Sequence, residues 1–244
     1  MTDAARSSGT PDRQQLRIAS RSEPWTDLGL TLPIFVGYHL GVVFVPYRNA
    51  ADVVTRELVS LANDDLVAYS ALTVAIGLAF AGVLVVLGRG RALHWYRFGW
   101  VALEGVMYAV AMRLVAGYVV GKLHLALGSS ERLTGLVLSL GAGFYEEIAF
   151  RVVLFGLGAR LLDLLLFQKA NRTRQVLVQV AWAMVAAAVF SGWHHLGAMG
   201  EPFELQAFVF RWVCGILFTA IYTFRGFAPA VWTHALYDVW VLVL

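Results

Sequence analysis

Charged residues are scarce in this chain. Only 14% of its 244 residues are Asp, Glu, Lys or Arg, and the formal net charge is +3, whereas soluble domains carry about 25% charged residues. The basic residues stand in short clusters between apolar runs, not along one face or in a long tail. This distribution argues against contact with a nucleic-acid backbone, and no nucleic-acid partner is expected.

Cysteine is almost absent, and the N-terminal segment lacks the features of a signal peptide. The lone Cys214 lies within an apolar run, where a small buried hydrophobic residue is expected, and one cysteine excludes a disulfide framework. Residues 1–24 are polar and contain neither the apolar stretch nor the small-residue cleavage site of a signal peptide. We interpret them as a disordered tail.

Apolar residues, in contrast, are abundant. They make up 59% of the chain, and the mean hydropathy is +0.68, whereas soluble domains contain about 45–50% apolar residues. A water-soluble core of this size would leave much of that apolar surface facing solvent, so lipid is the better solvent. We therefore predict an all-α, polytopic transmembrane helical bundle in contact with a lipid bilayer.

Windows of about 20 apolar residues, the length that crosses the hydrocarbon layer, locate the transmembrane spans. They fall near residues 28–47, 66–88, 98–120, 176–197, 204–224 and 227–244. Residues 133–167 form a further apolar stretch, about 50 Å long if wholly helical, which exceeds the membrane thickness. Because glycine weakens a helix, we expect Gly141-Ala142-Gly143 to break this stretch and a full span to start near Phe144. The prediction is about seven spans, with eight as the alternative count.

These spans divide the chain into three parts. A polar cytoplasmic tail over 1–24 precedes N-terminal transmembrane helices over 25–132 and a C-terminal transmembrane core over 133–244. The loops richest in Arg and Lys lie on one side of the seven-span arrangement, so the positive-inside rule places the N-terminus in the cytoplasm. We expect an integral protein of the plasma (inner) membrane.

Three groups of ionisable residues lie inside apolar segments, where each such residue costs at least about 2.5–3.5 kcal/mol to insert. The first is Glu146-Glu147-x-x-x-Arg151. Glu147 and Arg151 are i,i+4 neighbours and can pair, while Glu146 points about 100° away on a helix. Because two adjacent carboxylates in a low dielectric do not both ionise cheaply, the string separates a structural carboxylate from a reactive one, as a general base requires.

The other two groups contain histidine. His194 ends an apolar span in Phe190-x-x-x-His194, and His234 shares a face of the last span with Asp238 by i,i+4 spacing. Each alone has an ordinary explanation, because a buried histidine is usually a hydrogen-bonded core residue and a His–Asp pair can clamp two helices. The same pair is also suited to ligating a metal or to orienting the histidine. If all three groups face the bundle interior, they converge on one polar cavity.

The sequence lacks the signatures of three known classes of intramembrane peptidase. The sequence has no His-Glu-x-x-His helix of a zinc protease and no Gly-x-Gly-Asp partner for Tyr237-Asp238, as an aspartyl enzyme requires. Ser191 stands three residues before His194 but lacks the Gly-x-Ser setting of rhomboid-like serine peptidases. A serine mechanism is therefore not favoured.

The order of the three groups resembles the CPBP family, the CAAX-protease and bacteriocin-processing (Abi) membrane peptidases that include the Ras-converting CAAX endopeptidase. The resemblance covers about residues 133–244, and nothing similar is identified for the N-terminal half. It rests on three motifs in sequence: Glu146-Glu147-x-x-x-Arg151, Phe190-x-x-x-His194 and His234-x-x-x-Asp238.

The resemblance implies an intramembrane endopeptidase that cleaves a peptide bond in a lipidated or membrane-associated protein. In this reading Glu146 activates water with assistance from His194. Glu147 and Arg151 are structural or substrate-positioning neighbours. His234, together with residue 238, stabilises the oxyanion, and these roles agree with the need for a base and for donors aimed at the developing charge.

One position departs from the family pattern, because the family commonly has asparagine where this chain has Asp238. An ionised aspartate cannot donate a hydrogen bond to an oxyanion. Asp238 is then protonated, or orients His234, or ligates a metal. In the last case His194, His234 and Asp238 could hold zinc with an open position. Metal-free glutamate catalysis is our preferred hypothesis, and zinc is the alternative cofactor.

A rival hypothesis comes from a different functional class. The chain could be a non-catalytic membrane scaffold, or a transport or secretion partner, that keeps the polar cluster for packing or for the passage of protons or ions. Asp238 in place of asparagine is the feature that most favours this rival.

Overall fold

The computed structural model describes residues 24–45, 47–63, 65–87, 94–120, 132–166, 172–196 and 200–244. All regular secondary structure within these ranges is helical, so the predicted all-α class is confirmed. The predicted disordered tail lies outside the described residues, apart from Pro24.

The helices follow one another along the chain. In the described part of the chain the α-helices are α1 (Pro24–Gly41), α2 (Val53–Leu61), α3 (Leu66–Leu87), α4 (Tyr96–Val120), α5 (Arg132–Gly141), α6 (Gly158–Leu166), α7 (Arg172–Trp193), α8 (Leu205–Phe224) and α9 (Phe227–Leu242). A 3₁₀ turn, Val42–Phe44, extends α1, and a π-helix, Ala142–Leu157, joins α5 to α6.

Among the residues that the structure describes, five helices are long and apolar enough to cross a membrane. Many of their large side chains are exposed, including Leu78 and Val85 on α3 and Leu114 on α4. Such a surface is expected of helices that face lipid, and the chain is an integral membrane protein. The spans are Trp25–Phe44, Leu66–Val86, Tyr96–Val115, Arg172–Trp193 and Leu205–Phe224.

The other two predicted spans are helical as well. One corresponds to the run from α5 through the π-helix to α6, and the other to α9, which has 16 residues. Neither is among the five helices identified as long and apolar enough within the described ranges. The helical membrane bundle is confirmed, while the number of crossings and the side of the N-terminus stay predictions.

Helix α9 lies at the centre of the bundle. It packs against α1, α4, α5, α8 and the π-helix, and its small residues Ala228, Ala230 and Ala235 are fully buried or nearly so. Small side chains let neighbouring helix backbones approach closely in a membrane. Helix α9 therefore links the N-terminal helices α1 and α4 to the C-terminal ones.

The start of α9 is fixed by a residue of α1. Gly226, just before the helix, has φ of 110°, a left-handed region that favours glycine. The backbone N–H of Phe227 donates to Oδ2 of Asp27 at 2.7 Å. A carboxylate at a helix N-terminus satisfies an otherwise unpaired donor and interacts favourably with the helix dipole. Asp27 thus sets where the central helix begins.

The expected helix break at Gly141-Ala142-Gly143 is wrong. Helical structure continues from α5 into the π-helix, and Gly141 keeps ordinary helical angles of φ −63° and ψ −46°. The glycines serve close packing instead. A Cβ on Gly143 would lie 2.7 Å from Cβ of Ala235 and 2.8 Å from the carbonyl oxygen of Val231. The loss of helix propensity at glycine, about 1 kcal/mol each, accompanies close contact between the π-helix and α9.

We predict that Gly143→Ala lowers the free energy of unfolding by about 1–3 kcal/mol, because the added methyl group overpacks the contact with α9. The measurement is the thermal unfolding midpoint of the purified protein in detergent. Gly77→Ala on α3 is the matched control, since nothing lies within 4 Å of a Cβ at that position. Equal midpoints for the two variants would contradict the close-packing interpretation.

Candidate active site

The structure brings all six predicted site residues into one cluster. Each residue is buried or partly buried, and each contacts at least one other member within about 4 Å, the usual limit for an ion pair. They come from three elements: Glu146, Glu147 and Arg151 on the π-helix, His194 directly after α7, and His234 and Asp238 on α9.

Glu147 is the centre of the cluster. Its side chain is fully buried, and Nη1 of Arg151 lies 3.2 Å from its Oε1, so the predicted i,i+4 pair is formed. The same Oε1 lies 2.7 Å from Nδ1 of His234. An ionised carboxylate only accepts, so Nδ1 is the donor. The contact with His234 joins the π-helix to α9, and spacing along the sequence did not reveal it.

Arg151 packs against two aromatic rings. Its guanidinium carbon lies 4.2 Å from the ring centroid of Phe190 and 5.0 Å from that of Phe218. Phe218 also stacks on the imidazole of His234, with centroids 4.4 Å apart. Cation–π attraction is strongest for desolvated cations, and the Arg151 side chain is only 1% exposed. The motif phenylalanine, Phe190, therefore helps to stabilise the buried cation.

The two carboxylate oxygens of Glu146 have different surroundings. Oε1 accepts a hydrogen bond of 2.7 Å from Nδ2 of Asn49. Oε2 is buried and accepts no hydrogen bond from the described residues. It lies 3.8 Å from Nε2 of His194 and 4.0 Å from Nε2 of His234. One oxygen is therefore fixed, and the other faces both histidines.

The tautomer of His194 follows from its backbone contact. Nδ1 lies 2.9 Å from the carbonyl oxygen of Phe190, one helical turn earlier. A carbonyl oxygen only accepts, so Nδ1 carries the proton, and in the neutral ring Nε2 is the acceptor. Nε2 of His194 and Oε2 of Glu146 are therefore two acceptors that face each other.

Asp238 lies beside the other nitrogen of His234. Its Oδ2 is 3.5 Å from Nε2 of His234, and the Asp238 side chain is 24% exposed. This contact fits the hypothesis that Asp238 orients His234. Among the described residues no group of three or more His, Cys, Asp or Glu side chains is arranged to hold a metal ion. The set of His194, His234 and Asp238 is thus not preformed for zinc, and zinc as a cofactor stays a hypothesis.

Ser191 has a structural contact of its own. Its hydroxyl donates to the carbonyl oxygen of Phe208 at 2.7 Å, and the residue is fully buried between α7 and α8. The sequence placed Ser191 near His194, but its hydroxyl is engaged elsewhere. This contact gives no support to a serine mechanism, which the sequence does not favour either.

Asn49 is the site residue that the sequence analysis missed. It lies in the connection between the 3₁₀ turn and α2, 97 residues before Glu146. The signal in the sequence is weak, because one asparagine in a polar loop is ordinary. Only the tertiary fold reveals that this loop of the N-terminal half reaches the glutamate.

The fold and the site together define a polytopic membrane protein with a glutamate–histidine cluster buried among its helices. Residues 128–240 match the family model described as Rce1-like, Type II CAAX prenyl endopeptidase Rce1-like. The matched region contains all three motifs, and this match supports the resemblance to the CAAX-protease family. Comparison with curated proteins and with solved structures finds no match.

We predict that Arg151→Met destabilises the protein by about 3–5 kcal/mol, because it removes the guanidinium that pairs with the fully buried Glu147. The unfolding midpoint in detergent measures the effect. Arg151→Met combined with Glu147→Gln should lose less stability, since no buried charge is then left without its partner.

Arg56→Met is the control for this prediction. Arg56 pairs with Glu57 on the exposed surface of α2, where ion pairs contribute little. If Arg151→Met were as stable as Arg56→Met, the buried pair would not have the importance assigned to it.

Proposed function

We propose that this chain is an intramembrane endopeptidase in which Glu146 activates a water molecule to cleave a peptide bond in a lipidated or membrane-associated protein. One observation carries the proposal. Oε2 of Glu146 is buried without a hydrogen bond from the described residues and faces Nε2 of His194 at 3.8 Å. At a separation of more than about 3.5 Å, a water molecule can bridge two polar groups.

The two acceptors orient such a water. A water that donates one hydrogen to Oε2 of Glu146 and the other to Nε2 of His194 turns its lone pairs away from both. The lone pairs are then free to attack a carbonyl carbon, and the proton passes to Glu146 as the new bond forms. A positioned general base of this kind contributes about 10²–10⁴-fold to the rate.

His234 supplies the donor for the oxyanion in this proposal. Its Nδ1 is bonded to Glu147 at 2.7 Å, so Nε2 is the nitrogen left to donate to the substrate. A ring that donates from both nitrogens carries a positive charge, and Asp238, 3.5 Å from Nε2, compensates it. A charged donor aimed at the developing oxyanion is worth more here than in water, because the His234 side chain is only 4% exposed.

The reaction balances without a further co-reactant. The water oxygen forms a bond to the carbonyl carbon, and the displaced proton resides on Glu146. The carbon–nitrogen bond then breaks, and Glu146 returns the proton to the leaving amine. The products are a carboxylic acid and an amine, and Glu146 is again ionised.

The position of the site suggests the class of substrate. The cluster lies among helices whose outer surfaces are apolar, so chains that are already held at the membrane meet it most readily. The matched family is described as a CAAX prenyl endopeptidase, and we extend that description to a prenylated C-terminal segment as substrate. We place the enzyme in the plasma (inner) membrane with a cytoplasmic N-terminus, as the loop charges predict.

We predict that Glu146→Gln lowers cleavage by about 10²–10⁴-fold, because glutamine cannot accept the proton from water. The measurement is cleavage of a fluorescent prenylated CAAX peptide by the purified protein in phospholipid vesicles, with the unprenylated peptide alongside. The thermal midpoint should stay near that of the parent, since glutamine still accepts from Asn49.

Glu147→Gln is the comparison for this experiment. It should impair stability as well as activity, because it removes the counter-charge of Arg151. Full cleavage by Glu146→Gln would defeat the assignment of Glu146 as the base, whereas no cleavage by the parent protein would favour the scaffold or transport alternative. Equal cleavage of the two peptides would contradict the proposal that the substrate must be prenylated.

We predict that the active protein contains no stoichiometric zinc, because the proposed base and donors are protein side chains. Elemental analysis of purified, active protein measures the metal content. One zinc per chain that is lost in His234→Ala would overturn this prediction and support the zinc alternative.

A further inference from the structure

The loop between α1 and α2 holds one oxygen of Glu146. Nδ2 of Asn49 donates to Oε1 at 2.7 Å, while Oδ1 of Asn49 accepts from the backbone N–H of Ala51 at 2.9 Å. A backbone N–H can only donate, so the oxygen of the amide must face Ala51 and the NH₂ group must face Glu146. The orientation of the amide is therefore determined by its neighbours.

The loop that carries Asn49 is itself fixed by hydrogen bonds that involve the buried side chains of Tyr38 and Asp52. The backbone N–H of Asn49 donates to the hydroxyl of Tyr38 at 3.3 Å, and that hydroxyl donates to Oδ2 of Asp52 at 2.6 Å. Asp52 also caps α2, since its Oδ1 accepts from the backbone N–H of Thr55 at 2.8 Å. Buried networks with satisfied partners are rigid. Asn49 is thus presented to Glu146 by a fixed support.

Gly141 leaves room for Tyr38 and Asn49 to pack against the helix that leads to Glu146. A Cβ on Gly141 would lie 2.5 Å from Cε2 of Tyr38 and 3.1 Å from Cβ of Asn49. Any larger residue at this position would push the loop away from the helix that carries Glu146. Close fit at Gly141 is an observation independent of the hydrogen bonds, and it points to the same contact.

We infer that Asn49 is a positioning residue for the reaction, one that holds Oε1 of Glu146 and leaves Oε2 facing His194 and His234. The inference rests on the proposed function of Glu146. A carboxylate without this bond can rotate about its terminal bond, whereas a held carboxylate presents one oxygen to the water. The N-terminal half, outside the family match at 128–240, thereby completes the site.

The test is Asn49→Asp, assayed with the prenylated CAAX peptide in vesicles. Aspartate keeps the acceptor for Ala51 but replaces the donor to Glu146 by a second acceptor. Since hydrogen bonds to charged groups contribute about 1.5–3 kcal/mol, kcat should fall about 10- to 100-fold. KM should be unchanged, because Asn49 does not touch the substrate in this scheme.

Asn63→Asp is the matched control. Asn63 lies in the exposed turn after α2, so the same chemical change there should leave kcat as in the parent. If Asn49→Asp reduces the yield of folded protein, Asn49→Ala carries the same kinetic test without adding a carboxylate. An unchanged kcat in the folded Asn49 variant would overturn the inference.

A reversed pair tests the contact itself. In Asn49→Asp combined with Glu146→Gln, the glutamine NH₂ can donate to the new aspartate, so the thermal midpoint should recover relative to Asn49→Asp alone. Activity should not recover, since no base is present. Failure of the midpoint to recover would contradict the contact. Full activity in Glu146→Gln alone would instead defeat the proposed function, whatever Asn49 variants do.

Discussion

The buried ion pair between Glu147 and Arg151 is the interaction on which the rest of the site depends. Moving a charge into a low dielectric costs several kcal/mol per ion even after relaxation, and pairing alone often does not recover that cost. Here the pair has additional partners. Glu147 also accepts from His234 at 2.7 Å, and Arg151 packs against two phenylalanine rings. These contacts require α7, α8 and α9 to meet the π-helix at one place, so the charged pair fixes the arrangement of the helices.

Close backbone packing is the second constraint, and it follows from the first. A histidine on α9 reaches a glutamate on the π-helix only if the two backbones are near each other. Gly143 permits this approach, since a Cβ there would meet Ala235 and the carbonyl oxygen of Val231. Asp27 then fixes the start of α9 by capping it from α1. Asp27, which is not a member of the site cluster, thus helps to set the position of His234 along the bundle.

The sequence predicts those parts of the site in which ionisable residues are costly to bury or lie close together along the chain. Ionisable residues in apolar helices are rare, so Glu146, His194 and His234 could be found one by one, and the pair of Glu147 with Arg151 follows from spacing. The bond between Glu147 and His234 could not be predicted, because it joins residues 87 positions apart. The glycines at 141 and 143 were misread for a related reason. Their effect on a single helix is unfavourable, and only the neighbouring helix explains them.

Asn49 illustrates the limit of reasoning from motifs. A motif identifies residues whose chemical type is unusual for their surroundings, and an asparagine in a polar loop is not unusual. The importance of Asn49 comes from the orientation of its amide, which the backbone N–H of Ala51 fixes. The NH₂ group then bonds to only one of the two oxygens of Glu146, which are equivalent in an isolated carboxylate. Catalysis by a general base benefits from that distinction, because the oxygen that accepts no bond from Asn49 has both of its lone pairs available. The difference between the two oxygens of Glu146 therefore depends on the N-terminal helices as well as on the matched C-terminal region.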